Sequence, residues 1–185
     1  MNFCSHCGDT VSFVIPEGDD RPRYRCHSCE TIHYQNPRIV AGTLPVFGSQ
    51  VLLCRRAIAP RLGYWTLPAG YMENAETTRQ AAARETREEA CAEVSLCNLY
   101  TLIDLPHINQ VYMIFRADLL GDFAAGVESL EVALFEEHDI PWDELAFPTI
   151  ERTLRHYYAD RQHGMFPLHV SEITQEDRER YFGSA

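Results

Sequence analysis

The chain has 185 residues, of which 45% are hydrophobic, and a formal net charge of −11 with a pI near 5.1. This composition supplies one sizeable core, and the negative charge argues against extensive binding to nucleic-acid phosphates. No run approaches the roughly 18 apolar residues of a membrane-spanning helix, and the N-terminal MNFCSHCGD does not resemble a secretory signal. We therefore expect a soluble, cytoplasmic protein that binds neither nucleic acid nor membranes.

The cysteines separate into two groups. Three of the seven are scattered, and they suit the small buried positions that free cysteines often occupy. The other four form two Cys-x2-Cys pairs on either side of residues 8–25, a spacing typical of a ribbon in which four thiolates bind one tetrahedral Zn²⁺. Residues 1–36 hold too few apolar side chains for a core of their own, so a structural zinc ion is expected to keep them folded. The predicted zinc ligands are Cys4, Cys7, Cys26 and Cys29.

Beyond this ribbon the chain alternates between strand-like and helical patterns. Runs rich in β-branched and apolar residues predict strands, and Gly48-Ser49 predicts a hairpin between the first two of them. A charged, alanine-rich helix is expected after Gly70, and the apolar spacing in PTIERTLRHYYADR predicts a second helix. The predicted strands are RIVAGTLPVF, QVLLCRRAI, EVSLCNLYTLIDL, QVYMIFRADL and LEVALFEE.

The same order of elements sets the expected domain organisation. An α/β domain is expected over residues 37–165, behind the zinc ribbon at residues 1–36. Residues 166–185 show no clear periodicity, so we expect a loosely attached tail there.

The first helix concentrates carboxylates on one side. At about 100° per residue, Glu85, Glu88 and Glu89 fall within one arc, and Arg84 can pair with Glu88 but cannot neutralise all three. Carboxylates at this density suit Mg²⁺ or Mn²⁺, although an isolated motif of this kind equally fits a solvent-exposed helix with ion pairs. The seam of small residues expected to pack against a sheet on the opposite side consists of Ala83, Thr86 and Ala90.

The wider spacing decides in favour of metal binding. From Gly70, five residues lead to Glu76, seven more lead to Arg84-Glu85, and Glu88-Glu89 follow. This pattern resembles the Nudix box, G-x5-E-x7-R-E-U-x-E-E-x-G-U, in which U is aliphatic. The departures affect packing and the helix end rather than the charged groups; they are Thr86, Cys91 and Ala92.

Further stretches resemble one branch of this superfamily, the ADP-ribose/FAD pyrophosphatases that include the plant chloroplast type. They are YQNP, LLCRR, WTLPAGY, RET-x-EEA, ESLEVALF and IPWDELAF, and they extend over most of the chain. The resemblance implies a Nudix α/β/α sandwich with a mixed sheet behind the zinc ribbon. It also implies a homodimer that uses Mg²⁺ or Mn²⁺ to hydrolyse a small dinucleotide, FAD or ADP-ribose, with release of AMP.

The resemblance also implies roles for individual residues. One further glutamate from a later strand completes the metal site in this family; Glu131 is the expected residue and Glu128 the alternative. Glu76 is expected to lie on the helix and to have an orienting role. The other expected metal ligands are the Ala69 carbonyl, Glu85, Glu88 and Glu89, and the expected catalytic residues are Arg84, Glu85, Glu88 and Glu89.

The residues that select the substrate must lie outside the box, because the box contacts only the diphosphate. Arg55 or Arg56 can bind a phosphate through a charge-assisted hydrogen bond. The expected substrate-binding residues are Arg55, His107, Gln110 and Tyr112.

Two alternatives remain at this point. An NADH pyrophosphatase also joins a zinc ribbon to a Nudix domain, but that branch carries an SQPWPFPxS-like stretch, which IDLPHINQVYMIF does not contain. A regulator that binds ADP-ribose or nucleotides without cleaving them is expected to have lost carboxylates from the box, and none of the helix glutamates is missing here.

Overall fold

The computed structural model describes residues 1–183, which divide into two compact units with a boundary between Pro37 and Arg38. Within these residues no helix is both long and apolar enough to cross a membrane. The N-terminal unit contains one three-stranded antiparallel sheet in the order β1-β2-β3. Its strands are β1 (Val11–Val14), β2 (Arg23–Cys26) and β3 (Ile32–His33).

The second unit is built on a mixed sheet. The strands are β4 (Arg38–Phe47), β5 (Gln50–Arg56), β6 (Trp65–Thr66), β7 (Ala69–Tyr71), β8 (Glu93–Leu105), β9 (Gln110–Leu120), β10 (Ser129–Phe135) and β11 (His169–Glu172). The helices are α1 (Thr78–Ala90), α2 (Pro148–Arg161) and α3 (Gln175–Phe182), and short 3-10 turns lie at Pro106–Ile108, Glu137–Asp139 and Trp142–Glu144.

The sheet order is β10-β5-β4-β9-β8-β11, and β6 and β7 pair with β5 and β4 respectively. The β4–β9 and β8–β11 pairs are parallel, whereas the other pairs are antiparallel. The predicted hairpin between β4 and β5 is confirmed, with Phe47 paired to Gln50.

Both faces of this sheet are covered, and β5 shows why. Val51 and Leu53 join the larger core cluster, which also contains residues of α2. Leu52 and Cys54 pack into a different cluster with Ala90 of α1. Successive side chains of a strand point to opposite faces, so α1 and α2 lie on opposite sides of the sheet. The predicted Nudix α/β/α sandwich with a mixed sheet is confirmed.

Local sequence sets both ends of α1. At the start, Thr77 Oγ1 accepts a hydrogen bond from the Gln80 N–H (3.2 Å), and Gln80 Oε1 accepts one from the Thr77 N–H (2.8 Å), which together form a capping box. At the end, Cys91 adopts the left-handed conformation (φ 47°, ψ 32°) and donates its N–H to the Arg87 carbonyl. A cysteine therefore occupies a backbone position that favours glycine.

The expected division of α1 into an acidic side and an opposite, packed side is wrong. Glu85 and Glu89 are buried together with Thr86, whose hydroxyl lies 2.6 Å from the Thr43 hydroxyl of β4. Ala83 is only partly buried. The packed side of α1 thus includes two of the three glutamates, because neighbouring strands and loops surround the helix across a wider arc than the alanine seam.

The expected loose tail is also wrong. Residues 169–172 form β11, which extends the sheet by pairing with β8. Ile173 is fully buried and donates its N–H to the Asp104 carbonyl (2.9 Å). The segment lacks a strong pattern of its own because a short edge strand needs few apolar residues when its partner supplies the backbone hydrogen bonds.

The Cys91→Gly substitution is expected to stabilise the protein, because it removes a Cβ from a left-handed residue. The gain should be about 1 kcal/mol, which corresponds to roughly 2–4 °C in Tm for a chain of this size. Thermal unfolding followed by circular dichroism measures this change. Cys91→Ala is the matched control, since it removes the thiol but keeps the Cβ, and an equal gain in both variants would contradict the explanation.

Candidate active site and structural metal centre

The four predicted zinc ligands come together in the N-terminal unit. Their Sγ atoms all lie within 4.8 Å of one another, with Cys4 and Cys29 at 3.7 Å and Cys7 and Cys26 at 3.4 Å. A tetrahedral Zn²⁺ with bonds of about 2.3 Å places its four sulfurs about 3.8 Å apart. The cysteine cluster therefore fits a closed, structural zinc site.

In the second unit, α1 packs against β4 and β7, and this packing positions its glutamates in the candidate site. Gly70 in β7 makes this approach possible, because a Cβ at that position would overlap the Glu85 carboxylate. Both buried glutamates lie almost out of contact with solvent, at 9% exposed for Glu85 and 7% for Glu89. A larger residue at position 70 would therefore displace the Glu85 carboxylate from the place it occupies here.

Burial changes the ionisation of these two carboxyl groups. It raises the pKa of Glu89 to about 8, and the nearby Glu85 charge adds to this while Arg56 partly offsets it. Burial also raises the pKa of Glu85, although the hydrogen bond from Arg84 acts in the opposite direction. Glu89 Oε2 is buried and has no hydrogen-bond partner. A buried carboxylate oxygen without a partner is costly unless a cation binds it.

Arg84 organises the exposed side of the helix. Its Nη1 donates to Glu85 Oε1 (2.7 Å) and Glu88 Oε2 (2.9 Å), and its Nε and Nη2 donate to the Glu76 carboxylate (3.1 and 2.8 Å). These hydrogen bonds raise the pKa of Arg84, and the bonds to Glu76 contribute most. Glu76 precedes the helix, which begins at Thr78, so its expected place on the helical wheel is wrong. Its contact with Arg84 is consistent with the orienting role expected of it.

The loop between β9 and β10 carries another carboxylate to the site. Gly126 donates its N–H to the Glu89 carbonyl at the end of α1 (3.0 Å). A Cβ on Gly126 would overlap the Glu88 carbonyl, so the loop can approach the helix this closely only with glycine there. Two residues later, Glu128 lines the same pocket as the helix glutamates.

Glu131, the residue expected to complete the metal site, does not line the pocket of the helix glutamates, whereas the alternative, Glu128, does. Glu131 lies opposite Arg55 in the β10–β5 pair, and its Oε2 is 3.7 Å from Arg55 Nη1. The pairing register shifts between Ser129 and Glu131, so alternation along β10 does not predict which side chain reaches the site. Burial is the main cause of the raised pKa values of Glu85 and Glu89, and the negative charge of Glu128 makes a smaller contribution.

Arg56, not Arg55, faces the pocket. Arg55 Nε donates to the Gly63 carbonyl (2.9 Å), and its guanidinium is paired with Glu131 as described. Arg56 lines the pocket, with its Nε bonded to the Pro60 carbonyl (2.8 Å). Adjacent strand residues point to opposite faces, so the two arginine side chains leave β5 on opposite sides. Arg55, one of the residues expected to bind the substrate, does not line the pocket.

These residues surround one pocket of about 1130 Å³. The expected substrate-binding residues His107, Gln110 and Tyr112 all line it. Gln110 Nε2 donates to the Tyr71 hydroxyl (2.8 Å), and His107 Nδ1 is buried without a partner. The sequence pattern gave no signal for several other lining residues, which come from loops and from the C-terminal segment. These are Ile58, Arg61, Phe147, Ile173, Arg178 and Phe182.

The carboxylates present fit Mg²⁺ or Mn²⁺ by their chemistry. Ala69, Glu85, Glu88 and Glu89 line one pocket, and the buried unpaired oxygen of Glu89 provides a ligand atom that needs a positive partner. Within the described residues, only the cysteines bring three or more ligand atoms within 4.8 Å of one another. Arg84 Nη1 pairs with both Glu85 and Glu88.

Comparison with known families agrees with the fold. The NUDIX domain family matches residues 36–160, and the Nudix N-terminal zinc-ribbon family matches residues 2–35. The chain therefore belongs to the Nudix hydrolase family and carries its N-terminal zinc ribbon.

Several individual proteins are similar to this chain. A crystal structure of a NUDIX hydrolase from Nitrosomonas europaea is 55% identical, covers 95% of this chain and 100% of its own, and superimposes with a TM-score of 0.92. An ADP-ribose pyrophosphatase from Methanocaldococcus jannaschii is 29% identical over 76% of this chain and 80% of its own length. A NAD-capped RNA hydrolase NudC from Vibrio vulnificus is 28% identical over 86% of this chain. This chain spans 62% of that relative's length.

The purified protein is expected to contain about one zinc per chain, because four thiolates make a closed site. Cys26→Ser should release the zinc and unfold the ribbon while the second unit keeps its own unfolding transition. Elemental analysis and circular dichroism measure these two results. Absence of zinc from the native protein, or a Cys4–Cys7 disulfide in it, would show that the cysteine cluster has another role.

Glu89→Gln is expected to abolish stabilisation by Mn²⁺ without unfolding the protein, since it removes the charge of a buried ligand but not its volume. At a Mn²⁺ concentration about 100 times its Kd, the wild-type protein should gain about 2.7 kcal/mol. The variant should gain almost nothing, although without added Mn²⁺ it should be at least as stable as wild type. Glu131→Gln is the matched control and should keep the full gain. An undiminished Mn²⁺ effect in Glu89→Gln would falsify the assignment.

Proposed function

We propose that this chain is a metal-dependent pyrophosphatase that hydrolyses the diphosphate linkage of small dinucleotides, FAD or ADP-ribose, with release of AMP. One observation carries the proposal: Glu89 is buried with an unpaired oxygen beside Glu85, on the wall of a large pocket. Such a carboxylate pair suits divalent cations, and divalent cations suit a diphosphate.

Each residue contributes a distinct step in this proposal. Glu85 and Glu89 would hold Mg²⁺ or Mn²⁺, which would neutralise the phosphate oxygens and make water more acidic. Glu85 and Glu89 are held away from bulk water, which strengthens their attraction for cations. Glu88 is the exposed member of the helix trio, with 58% of its side chain accessible, and it is the group placed to accept a proton from the attacking water. Arg56 binds a phosphate oxygen from the other wall.

The rest of the pocket supports a dinucleotide rather than a small diphosphate. Its volume of about 1130 Å³ lies at the upper end of ordinary ligand sites. Tyr112 offers an aromatic face, and Gln110 and His107 offer amide and imidazole groups that can bind a base edge. The similarity to the Methanocaldococcus jannaschii ADP-ribose pyrophosphatase supports the same substrate class.

A second candidate is an NADH- or NAD-cap-hydrolysing enzyme of the NudC type. Several relatives carry that name, including proteins from Vibrio vulnificus and Pseudomonas putida. This chain spans 62% and 58% of their respective lengths, and it lacks an SQPWPFPxS-like stretch in residues 103–115. The net charge of −11 also disfavours a long RNA as the substrate.

The deciding measurement is kcat/KM for FAD, ADP-ribose and NADH with Mg²⁺ or Mn²⁺, with products separated by chromatography. We expect FAD or ADP-ribose to be preferred, with AMP as one product. Glu85→Gln should lower kcat at least 100-fold because it removes a charged ligand of the reacting centre. Glu131→Gln, whose side chain pairs with Arg55 instead, should stay near wild type.

The other outcomes have defined meanings. A clear preference for NADH would assign the chain to the second candidate. Absence of turnover with all three substrates would contradict the enzymatic proposal and support the nucleotide-binding regulator.

A further inference from the structure

One wall of the pocket comes from a part of the chain beyond the matched Nudix domain, which ends at residue 160. Ile173, Arg178 and Phe182 of the C-terminal segment line the pocket together with Arg61 from the loop between β5 and β6. We call these four residues the arginine wall. It is distinct from the glutamates of α1 that line the same pocket.

The C-terminal segment is fixed in place. β11 is paired with β8, and Ile173 follows it in the core with its N–H bonded to the Asp104 carbonyl. A capping box at Thr174 then starts α3, and the Tyr181 hydroxyl donates to the Leu145 carbonyl (3.3 Å). The position of Phe182 therefore follows from several independent contacts.

Arg61 lines the pocket and lies against two aromatic rings. Its guanidinium carbon lies 3.5 Å from the centre of the Tyr64 ring and 4.9 Å from the centre of the Phe182 ring. Cation–π contacts of this kind hold a guanidinium in place without neutralising its charge. The N–H groups lie along the edges, and the buried Nε has no hydrogen-bond partner. An arginine edge is suited to a phosphate or carboxylate, which it can bind through two parallel hydrogen bonds.

The charge of the arginine wall points to the same kind of ligand. In residues 1–183, neither Arg61 nor Arg178 forms an ion pair with a carboxylate, although the chain has a net charge of −11. Arg178 lies close to the same ring as Arg61, with its guanidinium carbon 5.5 Å from the centre of Phe182. Arg56, by contrast, acts electrostatically on Glu89. Arg61 and Arg178 therefore remain available to bind an anion other than the diphosphate.

We propose that Arg61 and Arg178, arranged around Phe182, form a second anion subsite that binds a phosphate that is not cleaved. This inference rests on the proposed function, in which the glutamates and Arg56 bind the scissile diphosphate. The subsite selects substrates of the same class that carry an additional phosphomonoester on a ribose. Phe182 is a positioning residue, because it orients both guanidinium groups.

The test compares ADP-ribose with ADP-ribose 2′-phosphate, which differ by one phosphate. Binding is measured by calorimetry without added Mg²⁺ or Mn²⁺, and KM and kcat are measured with Mg²⁺. Wild-type protein should bind the phosphorylated compound about tenfold more tightly. Arg61→Gln and Arg178→Gln should each remove most of this preference, raise KM for that compound alone, and leave kcat unchanged.

Arg180→Gln is the matched control, since Arg180 lies on the same helix but pairs with Asp177 at the surface. It should keep the full preference. Equal binding of the two compounds by wild-type protein, or equal weakening of both by the variants, would overturn the subsite. If both compounds are hydrolysed but bound equally well, the subsite is rejected and the proposed function stands. If the phosphorylated compound is bound more tightly but neither compound is hydrolysed, the subsite stands and the proposed function is rejected.

Discussion

Two carboxylates, those of Glu85 and Glu89, are held on the packed side of a helix where water scarcely reaches them. Burying an ionised carboxylate without a partner costs several kcal/mol, and the structure only partly compensates for it through Arg84 and Arg56. Burial therefore favours the protonated form of both carboxyl groups, as their raised pKa values indicate. A divalent cation bound beside them would favour the ionised form instead.

Much of the surrounding structure serves this arrangement. Gly70 leaves space for the Glu85 carboxylate, and Gly126 lets the loop that carries Glu128 reach the end of α1. Glu76 holds Arg84 from outside the helix, so that one guanidinium spans three carboxylates. The exposed Glu88 differs from Glu85 and Glu89 in burial, and this difference separates a proton acceptor from the buried ligands in the proposed mechanism.

The pocket places two kinds of positive charge opposite each other. Cations that bind the glutamates would occupy one wall, and arginines held by aromatic rings occupy another. The proposed function uses local positive charge in a pocket, which an acidic protein can supply without a basic surface. The C-terminal segment contributes to this pocket because the pairing of β11 with β8 and the burial of Ile173 hold it on the sheet.

The sequence by itself determined the elements and the charged motif. Local signals specify the main strands, both long helices, the cysteine cluster and the glutamates of the box, because these depend on residue periodicity and on fixed short spacings. Tertiary structure decided which alternatives face the pocket: Arg56 over Arg55, and Glu128 over Glu131. The alternation of side chains along β5 separates the two arginines, but which face of β5 meets the pocket depends on the packing of the sheet. A register shift in β10 and a loop that contacts the end of α1 place Glu128 rather than Glu131 at the pocket, and neither leaves a periodic trace. The same holds for Arg61, which is distant in sequence from Arg178 and Phe182 of α3 and meets them because β11 pairs with β8 and returns the end of the chain to the pocket.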